Sequence, residues 1–346
     1  PQDRFKFKVE DSKKNQFDVI NTLLHRDDIE YIINATDNDR EGELIAFLIF
    51  LMAKNKKPVK RILVNEWTPQ DITKGLQNLK DEEDMRNLQA AGYTRLITDW
   101  LIGINFTSIA TLKYGNGKLL NIGRVILPTV KLVYDRDMEI RNFVPKTYYE
   151  IEGSFRCKNG EYKGKLVKNK NSKFDTPEEA RAIIDSITSK EGIITDKKVT
   201  TSKEYAPKLF SLTSLQGYIT SKYSNFTSDK VLTVCQSLYE GKGKGGYITY
   251  PRTDSVFLEE SLVDKTSDTL NKLKKGLPYE SKIKFTKTKR VFDSSKVDSH
   301  SAITPTYIVP TKLTPDEAIV YNAIKDRFIA NFMPPAEYEN TEIKTD

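Results

Sequence analysis

Apolar positions in the first third of the chain alternate between two periods, as they do in α/β domains. In residues 15–24 (NQFDVINTLL), Phe17, Ile20, Leu23 and Leu24 share one helical stripe. The strand-like YIINA (31–35) follows, then a carboxylate-rich turn, then a helical run through ELIAFLIFLMA (43–53). Residues 60–64 (KRILV) read as a second buried strand, and 69–114 as a helix-rich stretch with Trp100, Leu101, Ile104 and Phe106 among its apolar positions. From about 147 the texture changes to short alternating segments such as YYEIEGSF (148–155) and GIITDKKVT (192–200), interrupted by one helix near 177–188. Residues 211–240 are helical again, and GGYITYPRTDS (245–255) is a glycine-led strand that meets a proline. No internal repeat or low-complexity tract is present.

The 346 residues exceed what one core of ~100–200 residues needs, so two or more domains are expected. Lys and Arg total 55 against 48 for Asp and Glu, a net charge of +7 that suits a polyanionic partner without establishing one. The basic run 284–290 (KFTKTKR) reads as a solvated face sooner than as a DNA contact. The longest apolar run, Leu44 to Met52, is about half the ~18–20 residues of a bilayer span and reads as a buried helix, so no membrane is expected. The polar N-terminus carries no signal region. Two cysteines, Cys157 and Cys235, without CxxC spacing, exclude a disulfide scaffold and a cysteine-rich zinc site, and suggest the cytoplasm. Two histidines, His25 and His300, leave little room for His-based metal chemistry.

Candidate chemistry concentrates in two places. In Thr36-Asp37-Asn38-Asp39-Arg40-Glu41-Gly42-Glu43, four carboxylates fall within seven residues at the C-terminal end of a predicted strand, the edge where open α/β sheets bind ligands. Like charges this close disfavour one another's ionisation unless a cation sits among them. Magnesium takes oxygen ligands and keeps several waters, so Asp37, Asp39 and Glu41 suffice if the turn stays extended. The alternative is ordinary acidic dressing of a helix N-terminus. In the second place, Pro251 ends a strand directly after Tyr250, with Arg252 beyond it. A phenol of pKa ~10 needs help to attack phosphate, and a guanidinium binds phosphate bidentately and stabilises transition-state charge. Most of the 17 tyrosines must pack rather than react, so context has to single out Tyr250. Likewise, a lone histidine such as His300 is more often structural than catalytic, and Arg95 with Asp99 has the spacing of an ordinary i,i+4 salt pair.

That context comes from family resemblance. ATDNDREGELIA (35–46) resembles the signature of the Toprim domain, the metal-binding module of type IA and type II topoisomerases and bacterial primases. ITYPRTDS (248–255) resembles the active-site segment of topoisomerase III-like type IA enzymes, of the bacterial or plasmid-borne kind. His300 to Thr306 (HSAITPT) resembles that family's HxAIxPT motif, with Ser301 where the family often has a second His or a Glu. LLNIGRVILPT (119–129) resembles a DNA-contacting segment, with Asn121 in place of serine and Ile126 in place of glutamine. YTRLITDWLIG (93–103) and APKLFSLTSLQ (206–216) resemble a groove helix and the entry to the tyrosine domain.

The resemblance implies Tyr250 as nucleophile, Arg252 and His300 as its catalytic partners, and Mg2+ on Asp37, Asp39 and Glu41. DNA contacts are implied at Arg95, Asp99, Asn121, Gly123, Arg124, Thr213 and Gln216. The fold expected is multidomain α/β and β. A Toprim domain at 1–75, incomplete at its N-terminus, precedes a helical DNA-binding domain at 76–146. A β-rich arch at 147–206 and 305–346 encloses a tyrosine domain at 207–304, and together they form a toroid. The family's first strand with its Glu-Lys pair and its C-terminal part are not matched, so the chain reads as a fragment. The activity implied is ATP-independent cleavage of single-stranded or underwound DNA through a 5′-phosphotyrosyl link, strand passage and resealing. The protein is then an isomerase that relaxes negative supercoils or decatenates DNA, a monomer, associated with nucleoid or plasmid DNA. The alternatives are a Toprim nuclease or primase, and a truncated, inactive single-strand-binding remnant.

Overall fold

Three helices begin with the same four-residue device, Thr-Pro-x-acid, at Thr68, Thr176 and Thr314. The threonine hydroxyl accepts the backbone N–H of the acidic residue three positions on, at 3.3 to 3.4 Å, and proline occupies the first turn, where no N–H is needed. At Thr314 the cap is reciprocal, because Glu317 accepts the threonine N–H at 2.8 Å. Local sequence therefore fixes where these elements start.

The computed structural model describes residues 6–188, 190–241, 245–298 and 300–346, so residues 1–5 of the expected first domain and Ser299 of the His300 segment lie outside the described residues. In chain order the elements are α1 (Lys14–Leu24), β1 (Ile32–Asn34), α2 (Arg40–Met52), β2 (Val59–Arg61), α3 (Pro69–Gln77), β3 (Lys80–Asp81) and α4 (Glu82–Tyr114). Then come α5 (Ile126–Arg141), β4 (Glu152–Cys157), β5 (Gly160–Lys165), α6 (Pro177–Ile187) and β6 (Ile194–Glu204). The chain ends with α7 (Leu212–Lys222), α8 (Ser228–Glu240), α9 (Val263–Lys274), α10 (Pro315–Ala330) and β7 (Ala336–Thr345).

The chain divides into two compact units, one of residues 1–101 with 204–336, the other of residues 102–203 with 337–346. In the first unit β1 and β2 pair in parallel, Ile32 opposite Val59, and β3 joins β2 antiparallel. One core cluster of this unit gathers Leu215 and Ile219 of α7, Val231, Cys235 and Leu238 of α8, Ile248, Ile303, and Val320 and Ile324 of α10. A second holds Leu258, Leu270, Phe292, Phe328 and Phe332. In the second unit β4 and β5 form an antiparallel hairpin with Phe155 stacked on Tyr162, and β6 pairs with β7.

Two expectations are modified. Residues 305–336 belong to the first unit rather than to a β-rich segment, because the capped α10 buries Val320, Ile324 and Phe328 in its cores. Residues 245–250 form no ladder strand. The backbone is held by an isolated bridge of Ile248 to Pro305 and by single bonds to several neighbours. Among the described residues, no helix is long and apolar enough to cross a membrane.

Arg61, the last residue of β2, is 1% exposed, and its Nε lies 3.1 Å from Glu43 Oε2 on α2. Burial pushes the Glu43 carboxyl above the usual range, against the pull of Arg61. Removing one partner of such a pair strands the other charge, at a cost of about 3–5 kcal/mol, whereas replacing both with apolar residues costs far less. Arg61→Leu should therefore lower the urea-denaturation free energy by about that amount, and Arg61→Leu with Glu43→Leu by distinctly less.

Candidate active site

The acidic loop is shaped from behind by Arg61. Its guanidinium donates to the carbonyls of Asn34 at 3.1 Å, Thr36 at 2.7 Å and Asp37 at 2.6 Å, satisfying the backbone where the chain leaves β1. Thr36 closes the loop from within, its Oγ1 lying 2.8 Å from both Asn34 Oδ1 and the Gly42 carbonyl oxygen, which share its one proton. Gly42 is obligatory here, since a Cβ would lie 2.2 Å from the Asp37 carbonyl oxygen.

The run of alternating acids is split where α2 begins. Asp39 is the N-cap, with Oδ1 accepting the Gly42 N–H at 2.8 Å. Its other oxygen, Oδ2, lies 3.8 Å from His300 Nε2, an ion-pair rather than a hydrogen-bond distance. The His300 imidazole holds the Asp39 carboxyl below the usual range, against burial and with help from the Gly42 N–H. Asp37 accepts a hydrogen bond from the Tyr250 hydroxyl at 3.1 Å. Glu41, in the first helical turn, pairs with Arg95, which also lies 3.8 Å from Asp99. Three carboxylates thus do not converge. Asp37 and Asp39 face Tyr250 and His300, and Glu41 turns to α4.

Tyr250 is delivered by tertiary contacts. The backbone N–H of Gly246 donates to Trp67, that of Tyr247 to Leu238 and that of Thr249 to Thr304, at 2.8 to 2.9 Å. The N–H of Tyr250 itself reaches the Asn65 carbonyl at 3.3 Å. The 65–71 segment, which receives two of these bonds at Asn65 and Trp67, is anchored by Lys265 of α9, whose Nζ lies 2.8 Å from Glu66 and 2.5 Å from Asp71. The Tyr250 ring is 5% exposed and packs edge-on against Tyr239 at 5.3 Å and tilted on His300 at 4.3 Å. Burial first, then the charges of Asp37 and Asp39, push its phenol well above the ordinary range, while Arg252 acts the other way.

His300 is 5% exposed, its carbonyl is held by the Thr253 hydroxyl at 2.8 Å, and neither ring nitrogen has a hydrogen-bond partner. Arg252 is exposed and walls a cavity of about 430 Å³ with Thr233, Gln236, Ser237 and Glu240 of α8.

The remaining expected residues are dispersed. On α7, Thr213 is exposed and the Gln216 amide donates to the Ser228 carbonyl at 3.0 Å, tying α7 to the start of α8. Asn121, Gly123 and Arg124 belong to the other unit, where the neighbouring Ile122 N–H donates to Thr107 at 2.9 Å. Sequence reasoning missed Arg61, Tyr239 and the Lys265 anchor. An arginine inside the apolar KRILV stretch was the one signal available, because a charge there needs a buried partner.

The segments that form this site fall within two matched families. The Toprim domain family matches residues 6–67, and the family described as DNA topoisomerase matches residues 83–346. DNA topoisomerase 3 of Bacillus subtilis is 33% identical over 335 residues, covering 95% of this chain and 45% of its own length. The protein of the same name from Staphylococcus saprophyticus is 34% identical over 344 residues, 96% of this chain and 46% of its own. The chain therefore spans a little under half the length of these relatives. Full-length topoisomerase I of Thermotoga maritima superposes with a TM-score of 0.71 at 26% identity, covering 98% of this chain and 54% of that one.

The Toprim fold is generally a divalent-metal-binding one, and the donor set here fits such an ion in part. Asp37, at the Tyr250 hydroxyl, and Asp39, beside His300, offer the carboxylate oxygens that a hard divalent ion takes. Two carboxylates with waters and a phosphate oxygen suffice for magnesium, whereas Glu41 is committed to Arg95. With the acidic loop, the Tyr-Pro-Arg segment and the HSAITPT segment meeting in one place, and both family matches covering them, the chain belongs to the type IA DNA topoisomerases, in their topoisomerase III-like branch.

Proposed function

We propose that this chain carries the strand-cleaving centre of an ATP-independent DNA topoisomerase that cuts one strand through Tyr250. The observation that carries the reading is the Tyr250 hydroxyl, 3.1 Å from Asp37 and beside a histidine whose two buried nitrogens lack partners. Asp37 orients the hydroxyl, and the phenolic proton leaves to solvent water as the Tyr250 oxygen bonds to phosphorus. The bond from phosphorus to the ribose 3′-oxygen breaks, and that oxygen takes a proton from water. One phosphodiester replaces another, so resealing needs no ATP. Arg252 and His300 hold the phosphate and its developing charge. The cavity beside Arg252 has room for a neighbouring nucleotide.

The phenol held above its ordinary range sets a requirement. In the free site the neutral form dominates, which protects Tyr250 from idle reaction. Reaction therefore needs positive charge near Asp37 and Asp39. We assign that role to Mg2+, which Asp37 and Asp39 would hold and which, when bound, offsets their charge and steadies the phosphate. Glu41 then serves to fix Arg95. Arg95 and Asp99, with Asn121, Gly123, Arg124, Thr213 and Gln216, are proposed to guide single-stranded or underwound DNA. The division into Toprim, helical, arch and tyrosine domains, their closure into a ring, a monomeric state, and supercoil relaxation or decatenation complete the reading. A nuclease or primase would give Tyr250 no purpose.

The deciding experiment mixes the protein with labelled single-stranded DNA and Mg2+ and runs a denaturing gel. Label should travel with the protein in the parent and not in Tyr250→Phe, which loses one oxygen and keeps DNA affinity. Label that persists in the variant moves the nucleophile elsewhere, and label absent from the parent favours a binding-only remnant. Arg252→Ala should slow adduct formation by roughly 10²–10³, measured in single turnover. For the metal, Asp39→Asn retains the helix cap but removes the charge, so it should reduce the thermal shift caused by Mg2+. Glu41→Gln should leave that shift close to the parent's, and an equal loss in both variants would return Glu41 to the ligand set.

A further inference from the structure

Away from the cavity beside Arg252, the tyrosine-bearing unit carries a run of cations set against aromatic side chains instead of carboxylates. Lys222 Nζ lies 4.3 Å from the Tyr218 ring centre and 2.6 Å from its hydroxyl. The Arg327 guanidinium lies 5.3 Å from the same ring and 4.0 Å from that of Phe210. Arg327 also donates to the Lys208 carbonyl at 2.9 Å, and the Lys208 ammonium in turn lies 4.2 Å over Phe257. Lys296 approaches the same Phe257 ring at 4.9 Å. Only Lys296 has an acidic partner, Asp293 at 3.5 Å, and among the described residues no carboxylate pairs with Lys208, Lys222 or Arg327. The Arg327 guanidinium is partly desolvated, which holds it below its usual range, so a counter-charge would relieve it.

We propose that this strip is a second nucleic-acid contact, a track for the phosphodiester backbone of single-stranded DNA away from Tyr250 and the cavity beside Arg252. Its partner class rests on the reading of Tyr250 as a DNA-cleaving nucleophile. Two features define what it recognises. Phe210 is 2% exposed and Phe257 7%, so these rings cannot stack on bases, and they serve to hold the cations in place. Contact through fixed cations with covered rings reads phosphate and is indifferent to sequence. Its position fits a strand leaving the active site, because the Leu212 N–H at the head of α7 donates to the Thr253 carbonyl at 2.9 Å, one residue past Arg252. It also lies apart from the basic run at 284–290, whose lysines the sequence alone makes more conspicuous.

The test compares the parent, Lys208→Ala with Lys222→Ala, and a control, Lys56→Ala with Lys312→Ala, which removes equal charge from exposed lysines that hold no ring. Affinity for single-stranded oligonucleotides of about six and about twenty nucleotides is measured over a salt series, since each phosphate contact to a single strand contributes about 0.7 to the slope. For the long oligonucleotide the strip variant should bind more weakly at low salt, with a slope shallower by about 1.4, alike for dT and dA homopolymers. For the short one it should match the parent. An unchanged slope, an equal loss in the control, or a loss confined to one base overturns the proposal. Adduct formation on the short oligonucleotide reports on Tyr250 separately. If no adduct forms the catalytic reading fails, while the salt slopes still judge the strip.

Discussion

A guanidinium buried behind the acidic loop is the constraint on which the site depends. Arg61 donates to the carbonyls of Asn34, Thr36 and Asp37 and is ion-paired with Glu43, so the path from β1 into α2 has a single course. That course sets Asp39 as the helix cap and turns Asp37 toward Tyr250. Placing charge in the interior is expensive, and Arg61 is retained because its planar fork satisfies carbonyls that no apolar side chain could. Asp37 and Asp39 can then be placed side by side facing a phenol, an arrangement that a looser loop would relax by swinging one carboxylate into water.

The second constraint is electrostatic and works against the chemistry at rest. Two carboxylates and burial keep Tyr250 protonated, and His300 waits with two unsatisfied nitrogens. On the proposed reading, a bound phosphate with its cation would offset both, directing binding energy at the reacting atoms. Tyr239 and the Lys265 anchor serve the same end mechanically, by fixing the ring and the 65–71 segment against which the Tyr250 backbone lies.

What the sequence determined by itself was local. The 3.6-residue and two-residue periods place most helices and both early strands, since each element needs only its own apolar stripe. The Thr-Pro-x-acid caps fix three helix starts for the same reason. The acidic run was legible by its spacing, whereas Tyr250 and His300 stood out only through the resemblance of their segments to a known family. Tertiary structure alone decided which of these meet. Tyr250 and Asp37 are 213 residues apart and touch only because the 65–71 segment docks against 245–250. It also separated acids that the sequence presents as equivalent. Helix onset at Arg40 rotates each later side chain by about 100°, so Glu41 leaves the line of Asp37 and Asp39 and finds Arg95. Arg61 is the sharpest case. In sequence it is one cation in a short apolar strand, and its meaning lies in carbonyls and a carboxylate that only folding brings around it, because hydrogen bonds are satisfied in space and not along the chain.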